Sequence, residues 1–235
     1  MKISKTFFMS VMAISVAFTS MAQTADEIIS KHVEAIGGKD KISQVKSLYM
    51  ETAISIMGND VPSTAYLLEG KGFKTEMEFN GSKIINAFTD KGGWMVNAMA
   101  GASTPQPMAD PMYQAGKNAL YAEGILPDYV AKGYKVELVG KEDSAYKLKA
   151  TNGANEAFYY IDPTTYYVTK TVMKGDMMGQ PVDITTTFSD YKKTDFGLTI
   201  PFSSLTDMGA FSFPAKVTKV EVNKEIDPTI FEMPK

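Results

Sequence analysis

Residues 73–81, Phe73-Lys74-Thr75-Glu76-Met77-Glu78-Phe79-Asn80-Gly81, decide the fold. Phe73, Thr75, Met77 and Phe79 fall on one side and Lys74, Glu76, Glu78 and Asn80 on the other. That period of two is what a half-buried strand requires. Asn80-Gly81 tolerates positive φ at both residues, so the strand turns straight back into a hairpin. Downstream, Ile84–Thr89, a turn at Asp90–Gly93 and Trp94–Ala98 carry the pattern on. Upstream, Leu48, Met50, Thr52, Ile54 and Ile56 alternate, and after a Gly58-Asn59-Asp60 turn Thr64, Tyr66 and Leu68 follow. Connections this short join only antiparallel neighbours.

The alternation then stops. Gly101–Pro107 reads as a loop by composition. Asp110–Glu123 places Met112, Ala115, Ala119 and Leu120 at helical spacing, Pro127 suits a first helical turn, and Gly133 ends that piece. The spacing predicts a helical insertion at about residues 108–133. Strand alternation resumes with Tyr134, Val136 and Leu138, then Tyr146, Leu148 and Ala150. Phe158–Ile161 and Tyr166–Met173 flank an Asp162-Pro163-Thr164 turn, and Val182–Tyr191, Leu198–Thr206 and Lys216–Val222 come last. At the front, Thr24 and Glu27 have capping-box spacing, Ile29, Val33 and Ile36 form a helical stripe, and Gly37-Gly38 ends the helix. A second short helix over Lys39–Val45 turns Ile42 and Val45 inward. About eleven strands must curl to bury their apolar faces. The expected fold is mainly β (α+β): an unclosed, strongly curved antiparallel β-barrel holding an N-terminal helix and a helical lid insertion.

Residues 1–22 read as a secretory signal peptide: Lys2 and Lys5 precede an apolar run from Phe7 to Phe18, and Ser20-Met21-Ala22 places cleavage before Gln23. The run is shorter than the roughly 20 residues a bilayer-spanning helix needs. Residues 23–235 then form one exported, periplasmic domain, and losing two lysines takes the net charge from −3 to −5. The 235 residues contain no cysteine, and all 24 basic residues are lysine. Disulfides, thiolate nucleophiles and cysteine metal sites are thereby excluded. Bidentate phosphate or guanine recognition, which needs the guanidinium fork, is disfavoured, and nothing in the acidic composition suggests a nucleic-acid partner.

The pattern gives no catalytic constellation. His32 is the sole imidazole and borders the first helix's apolar face; no GxSxG elbow, phosphate loop or calcium loop occurs. Glu76 and Glu78 share a face with Lys74 and read as solvated. No enzyme activity, cofactor or metal site is expected. A curved sheet with helices in its hollow leaves an apolar cleft instead. Its candidate ligand-binding lining is Met50, Ile54, Tyr66, Leu68, Phe73, Met77, Phe79 and Trp94 from the sheet, with Ile29, Val33, Met112 and Leu120 from the helices. Flexible thioethers suit a surface that repacks around variable apolar ligands.

IISKHVEAIGG at 28–38, VKSLYMET at 45–52, FYYIDPTTYYVTKTV at 158–172, GLTIPFSS at 197–204 and IDPTIFEMP at 226–234 span nearly all of residues 24–235. In order and spacing they resemble the LolA/LolB-like lipoprotein-carrier superfamily, specifically its diverged outer-membrane lipoprotein-sorting proteins. The resemblance implies an unclosed barrel with a helical lid over an apolar cavity. It also implies acyl chains of a lipid or lipoprotein as ligand, and envelope membrane proteins as donor or acceptor. Carriers of that family look to use an arginine inside the barrel; this chain has none to match it. The alternative is a non-catalytic envelope interaction module whose hollow is filled by its own helices.

Overall fold

The computed structural model describes residues 23–153, 155–177 and 180–234, so the expected signal peptide lies outside the described residues. Helix α1 (Ala25–Ala35) starts at the foreseen capping box, with Thr24 Oγ1 accepting from the Glu27 amide and the Thr24 amide donating to Glu27 Oε2. The inward side of α1 is Ile28, Ile29 and His32, rotated slightly from the expected stripe. Helix α2 is a single turn, Lys39–Ile42.

Among the described residues thirteen strands follow. The first meander is β1 (Ser47–Ile56), β2 (Asn59–Leu68), β3 (Gly72–Phe79), β4 (Ser82–Thr89), β5 (Gly92–Asn97) and β6 (Ala102–Pro107). The second is β7 (Lys135–Glu142), β8 (Ala145–Asn152), β9 (Asn155–Ile161), β10 (Val168–Met177), β11 (Gln180–Lys193), β12 (Thr199–Asp207) and β13 (Ser212–Val222). All belong to one open antiparallel sheet of order β6-β5-β4-β3-β2-β1-β13-β12-β11-β10-β9-β8-β7. The meanders meet only where β1 pairs with β13. The sheet curves around its helices without closing, as the alternation predicts.

Three expectations change. Gly101–Pro107 is not a loop: its last six residues form β6, an edge strand where Pro105 and Pro107 leave no ladder partner wanting a donor. The long helix over Asp110–Glu123 is only α3 (Asp110–Gly116) followed by a 3-10 turn at Lys117–Leu120, and turns replace helix beyond Pro127. The first hairpin turns on Met57-Gly58, both at positive φ, with Ile56 facing Asn59, so β2 begins earlier than foreseen.

The helices and the insertion lie on one face of the sheet, its inner face. Ile28 and Ile29 of α1 pack with Ile125 and Leu126 of the insertion onto Val136, Leu148, Ala150 and Ile161. Ile42 and Val45 pack on Leu198. At the far side α3 lies on β4. A Cβ on Gly116 would sit 2.4 Å from the Phe88 ring, so only glycine lets the insertion approach this closely. Register then fixes the rest of the inner face in the first meander: Met50, Ala65, Thr75, Asn86 and Met95 in one row, Leu67, Phe73 and Phe88 in another.

Candidate functional site

Between α1, α2, the insertion and strands β9–β12 lies an apolar cavity of about 270 Å³. Ile36, Ile42 and Val45 form one wall, and Tyr159, Val168, Phe188, Leu198 and Ile200 the other. Ala122 and Glu123 of the insertion close its side. Two larger spaces flank the same insertion segment: one of about 520 Å³ shares Ala122 and Tyr159 with the cavity, and one of about 790 Å³ shares Ile42, Val45 and Glu123. Residues 119–126 therefore stand as a partition between the cavity and its two neighbouring spaces.

Polar groups at the cavity are held by the protein. His32 is buried, and its Nδ1–H donates to the Tyr166 carbonyl oxygen at 2.8 Å, which fixes the tautomer because a carbonyl only accepts. Burial lowers its pKa from 6.5, so the ring is neutral near pH 7. Tyr166 itself has a φ of 57° and ties α1 to the β9–β10 turn; its hydroxyl accepts from Lys31, and its ring stacks on Tyr146. The Tyr191 hydroxyl donates to the Val168 carbonyl, and burial pushes the hydroxyls of Tyr159 and Tyr191 well up. Among the described residues no three His, Asp or Glu side chains converge as a metal site.

Two latches hold the partition. The Gly70 amide donates to the Leu120 carbonyl, and the Ala122 amide donates to Glu69 Oε2, both at 2.9 Å. Desolvation raises the Glu69 pKa from 4.5 to about 7, with Glu123 adding repulsion, against the Ala122 hydrogen bond and Lys132. Farther along, Lys132 Nζ donates to Glu123 Oε1 at 2.7 Å and to the carbonyls of Gly124 and Pro127 at 2.8 and 2.7 Å. This ion pair is buried, with 7 % and 13 % of its side chains exposed.

The Glu69 shift has a thermodynamic sign. A carboxyl with a raised folded pKa binds its proton more tightly when folded, so its contribution is greatest below pH 4.5 and fades as pH rises through about 7. His32 acts oppositely, losing stability as pH falls below its unfolded value of 6.5. Above pH 6.5 Glu69 alone of the two remains, so unfolding midpoints should decline from pH 6.5 to 8. In Glu69→Gln that decline should flatten; an unchanged slope would assign it elsewhere.

The predicted lining residues divide. Met50, Ile54, Phe73, Met77 and Phe79 share the inner face of the first meander. Ile29 and Val33 line the 790 Å³ space, and Leu120 is buried beside the latch it makes to Gly70. Met112 is half exposed on α3. Tyr66, Leu68 and Trp94 point away from the hollow. Tyr66 pairs with Lys74, which pairs with Ala87 opposite Trp94, and that whole row is on the outer face. Tyr66 packs there against Tyr49, and Leu68 and Trp94 lie beneath the C-terminal segment at Pro228 and Phe231. The opposite wall, Tyr159, Phe188, Leu198 and Ile200, was missed as lining; its alternation is legible, but not its position across from α2.

No family model and no curated protein matches the chain. Solved structures do. A LolA superfamily protein from Nitrosomonas europaea is similar over 90 % of this chain and 98 % of its own, with a TM-score of 0.58 at 11 % identity. A domain described as an outer-membrane lipoprotein-sorting protein, from Vibrio parahaemolyticus, gives 0.56 at 12 % identity over 88 % and 97 %. A DUF1329 family protein from Desulfovibrio piger gives 0.51 at 13 % identity over 90 % and 98 %. This chain thus has the fold of LolA superfamily proteins.

Proposed function

We propose that this LolA-type fold serves as an exported, periplasmic and non-enzymatic carrier or sensor, taking lipid or lipoprotein acyl chains into the hollow between sheet and helices. The apolar cavity at the partition carries the reading: a space walled by Ile42, Val45, Phe188, Leu198 and Ile200 offers an alkyl chain what water does not. Burying large apolar groups is worth roughly 1.5–3 kcal/mol each, so a few contacts give useful affinity. At about 270 Å³ the cavity lies near the lower end of ligand sites, roughly 300–1,000 Å³. A longer chain would be accommodated by displacing residues 119–126 into line with the adjoining spaces. The inner-face residues Met50, Ile54, Phe73, Met77 and Phe79 extend the proposed lining, with Ile29 and Val33 on α1.

Organic extraction and mass spectrometry of protein purified from its native envelope should yield stoichiometric lipid or acylated peptide. A clean blank would favour the interaction module. With delipidated protein, a fluorescent acyl probe should bind, and Ile200→Asp should weaken it by about tenfold or more, the equivalent of roughly 1.4 kcal/mol. Undiminished uptake by folded Ile200→Asp would remove the cavity as the site.

A further inference from the structure

The two ends of the sheet differ in chemistry. At one end lie the connections β1–β2 (Met57-Gly58), β3–β4 (Asn80-Gly81), β5–β6 (Ala98–Gly101) and β12–β13 (Met208–Phe211), and none contains Lys, Asp or Glu. Their common placement follows from the register: Ile54 faces Val61 and Ala215, Phe79 faces Ser82, and Ile84 faces Asn97. At the other end every corresponding turn is charged: Glu69-Gly70-Lys71, Asp90-Lys91, and Thr194–Leu198 with Asp195. At the uncharged end, three separate hairpins hold a large apolar side chain out in solvent. Met57 is 84 % exposed, Met99 59 % and Phe211 54 %.

Exposed Asp60, Lys83 and Asp207 stand behind these tips at the adjoining strand ends, so the apolar side chains lead. We infer that this rim docks the protein on the surface of a lipid bilayer, with Met57, Met99 and Phe211 entering the headgroup–acyl boundary. Met57 and Phe211 sit on neighbouring hairpins, two strand spacings or about 10 Å apart, and Met99 lies beyond the Asn80-Gly81 hairpin, four spacings or about 20 Å from Met57. Isolated apolar points this far apart form no continuous patch for a folded partner. A fluid bilayer accepts apolar tips at any spacing, and binding strength follows the apolar area buried. The absence of lysine at the tips selects an interface bound by apolar insertion rather than by anionic headgroups. The rim also runs directly into the inner face through Ile54 and Ile84, which are partly exposed just inside it.

The test is co-sedimentation of the purified chain with pure phosphatidylcholine vesicles, repeated in about 1 M salt. Binding that survives salt is expected, and Met57→Glu, Met99→Glu and Phe211→Glu should each weaken it at least fivefold. Tips this exposed can change without unfolding the sheet, which the emission of the single tryptophan, Trp94, reports. No vesicle binding by the parent chain, loss of binding in salt, or full binding by all three variants would overturn the docking. Acyl-probe uptake in solution is read in parallel. Loss of docking with uptake intact sinks only the rim, and uptake absent with docking intact sinks only the cleft.

Discussion

Replacing Lys132 by alanine should destabilise the protein by about 3–5 kcal/mol, because it strands a buried carboxylate. Glu123 has its charge matched by one ammonium, and that same ammonium also satisfies the carbonyls of Gly124 and Pro127 and lies 4.6 Å from the centre of the Tyr121 ring. Without it, three acceptors in the insertion lose their donor together. Denaturant unfolding should show the loss, and hydrogen exchange should place it first in residues 120–133. The double variant Lys132→Met with Glu123→Leu should recover the part owed to the stranded carboxylate, since an apolar pair of similar size leaves no charge to desolvate, while the Gly124 and Pro127 carbonyls stay without that donor. A single-variant cost below about 1 kcal/mol, typical of an exposed pair, would show that the ammonium does not hold the insertion.

The second large effect concerns the C-terminal segment. Phe231 is 2 % exposed, its carbonyl accepts from Trp94 Nε1 at 2.7 Å, and its ring lies where a Cβ on Gly72 would be, at 2.5 Å. Phe231→Ala should remove about 3–5 kcal/mol of burial, and because the residue belongs to a terminal segment the loss should appear as release of that segment. Trp94, otherwise buried, would then meet water and its emission would move to the red. Gly72→Ala should give the same shift from the sheet side, by occupying the ring's place. Unshifted emission in both variants would mean that the segment does not seal Trp94.

Local patterns made the sheet readable and left its two faces partly ambiguous. Alternation over residues 73–79, the Asn80-Gly81 hairpin and the Thr24–Glu27 capping box all stand where the sequence puts them. The face of β2 went astray through one turn. Met57 adopts a φ of 52° although methionine carries no preference for it, and a two-residue loop there sets Ala65 and Leu67 inward, Tyr66 and Leu68 outward. Trp94 looks like a core residue and is one, but its cover comes from Phe231, 137 residues away. No local signal announces that pairing, nor that α2 would face Leu198. In the same way Pro105 and Pro107 disguise an edge strand as a loop, since proline is excluded from sheet interiors and tolerated at the margin.

The single seam between β1 and β13 has a consequence for how the molecule comes into being. Leu48 pairs with Val222 across most of the chain's length. Until residues 212–222 exist, β1 presents a bare row of donors and acceptors along a ten-residue edge, the kind of template that recruits foreign strands. Contacts of such sequence separation are also the slowest to form. Each meander can assemble from its own hairpins, but the centre of the finished sheet is the last ladder to zip. The nascent chain is therefore most vulnerable to aggregation along what becomes, on completion, its most interior line.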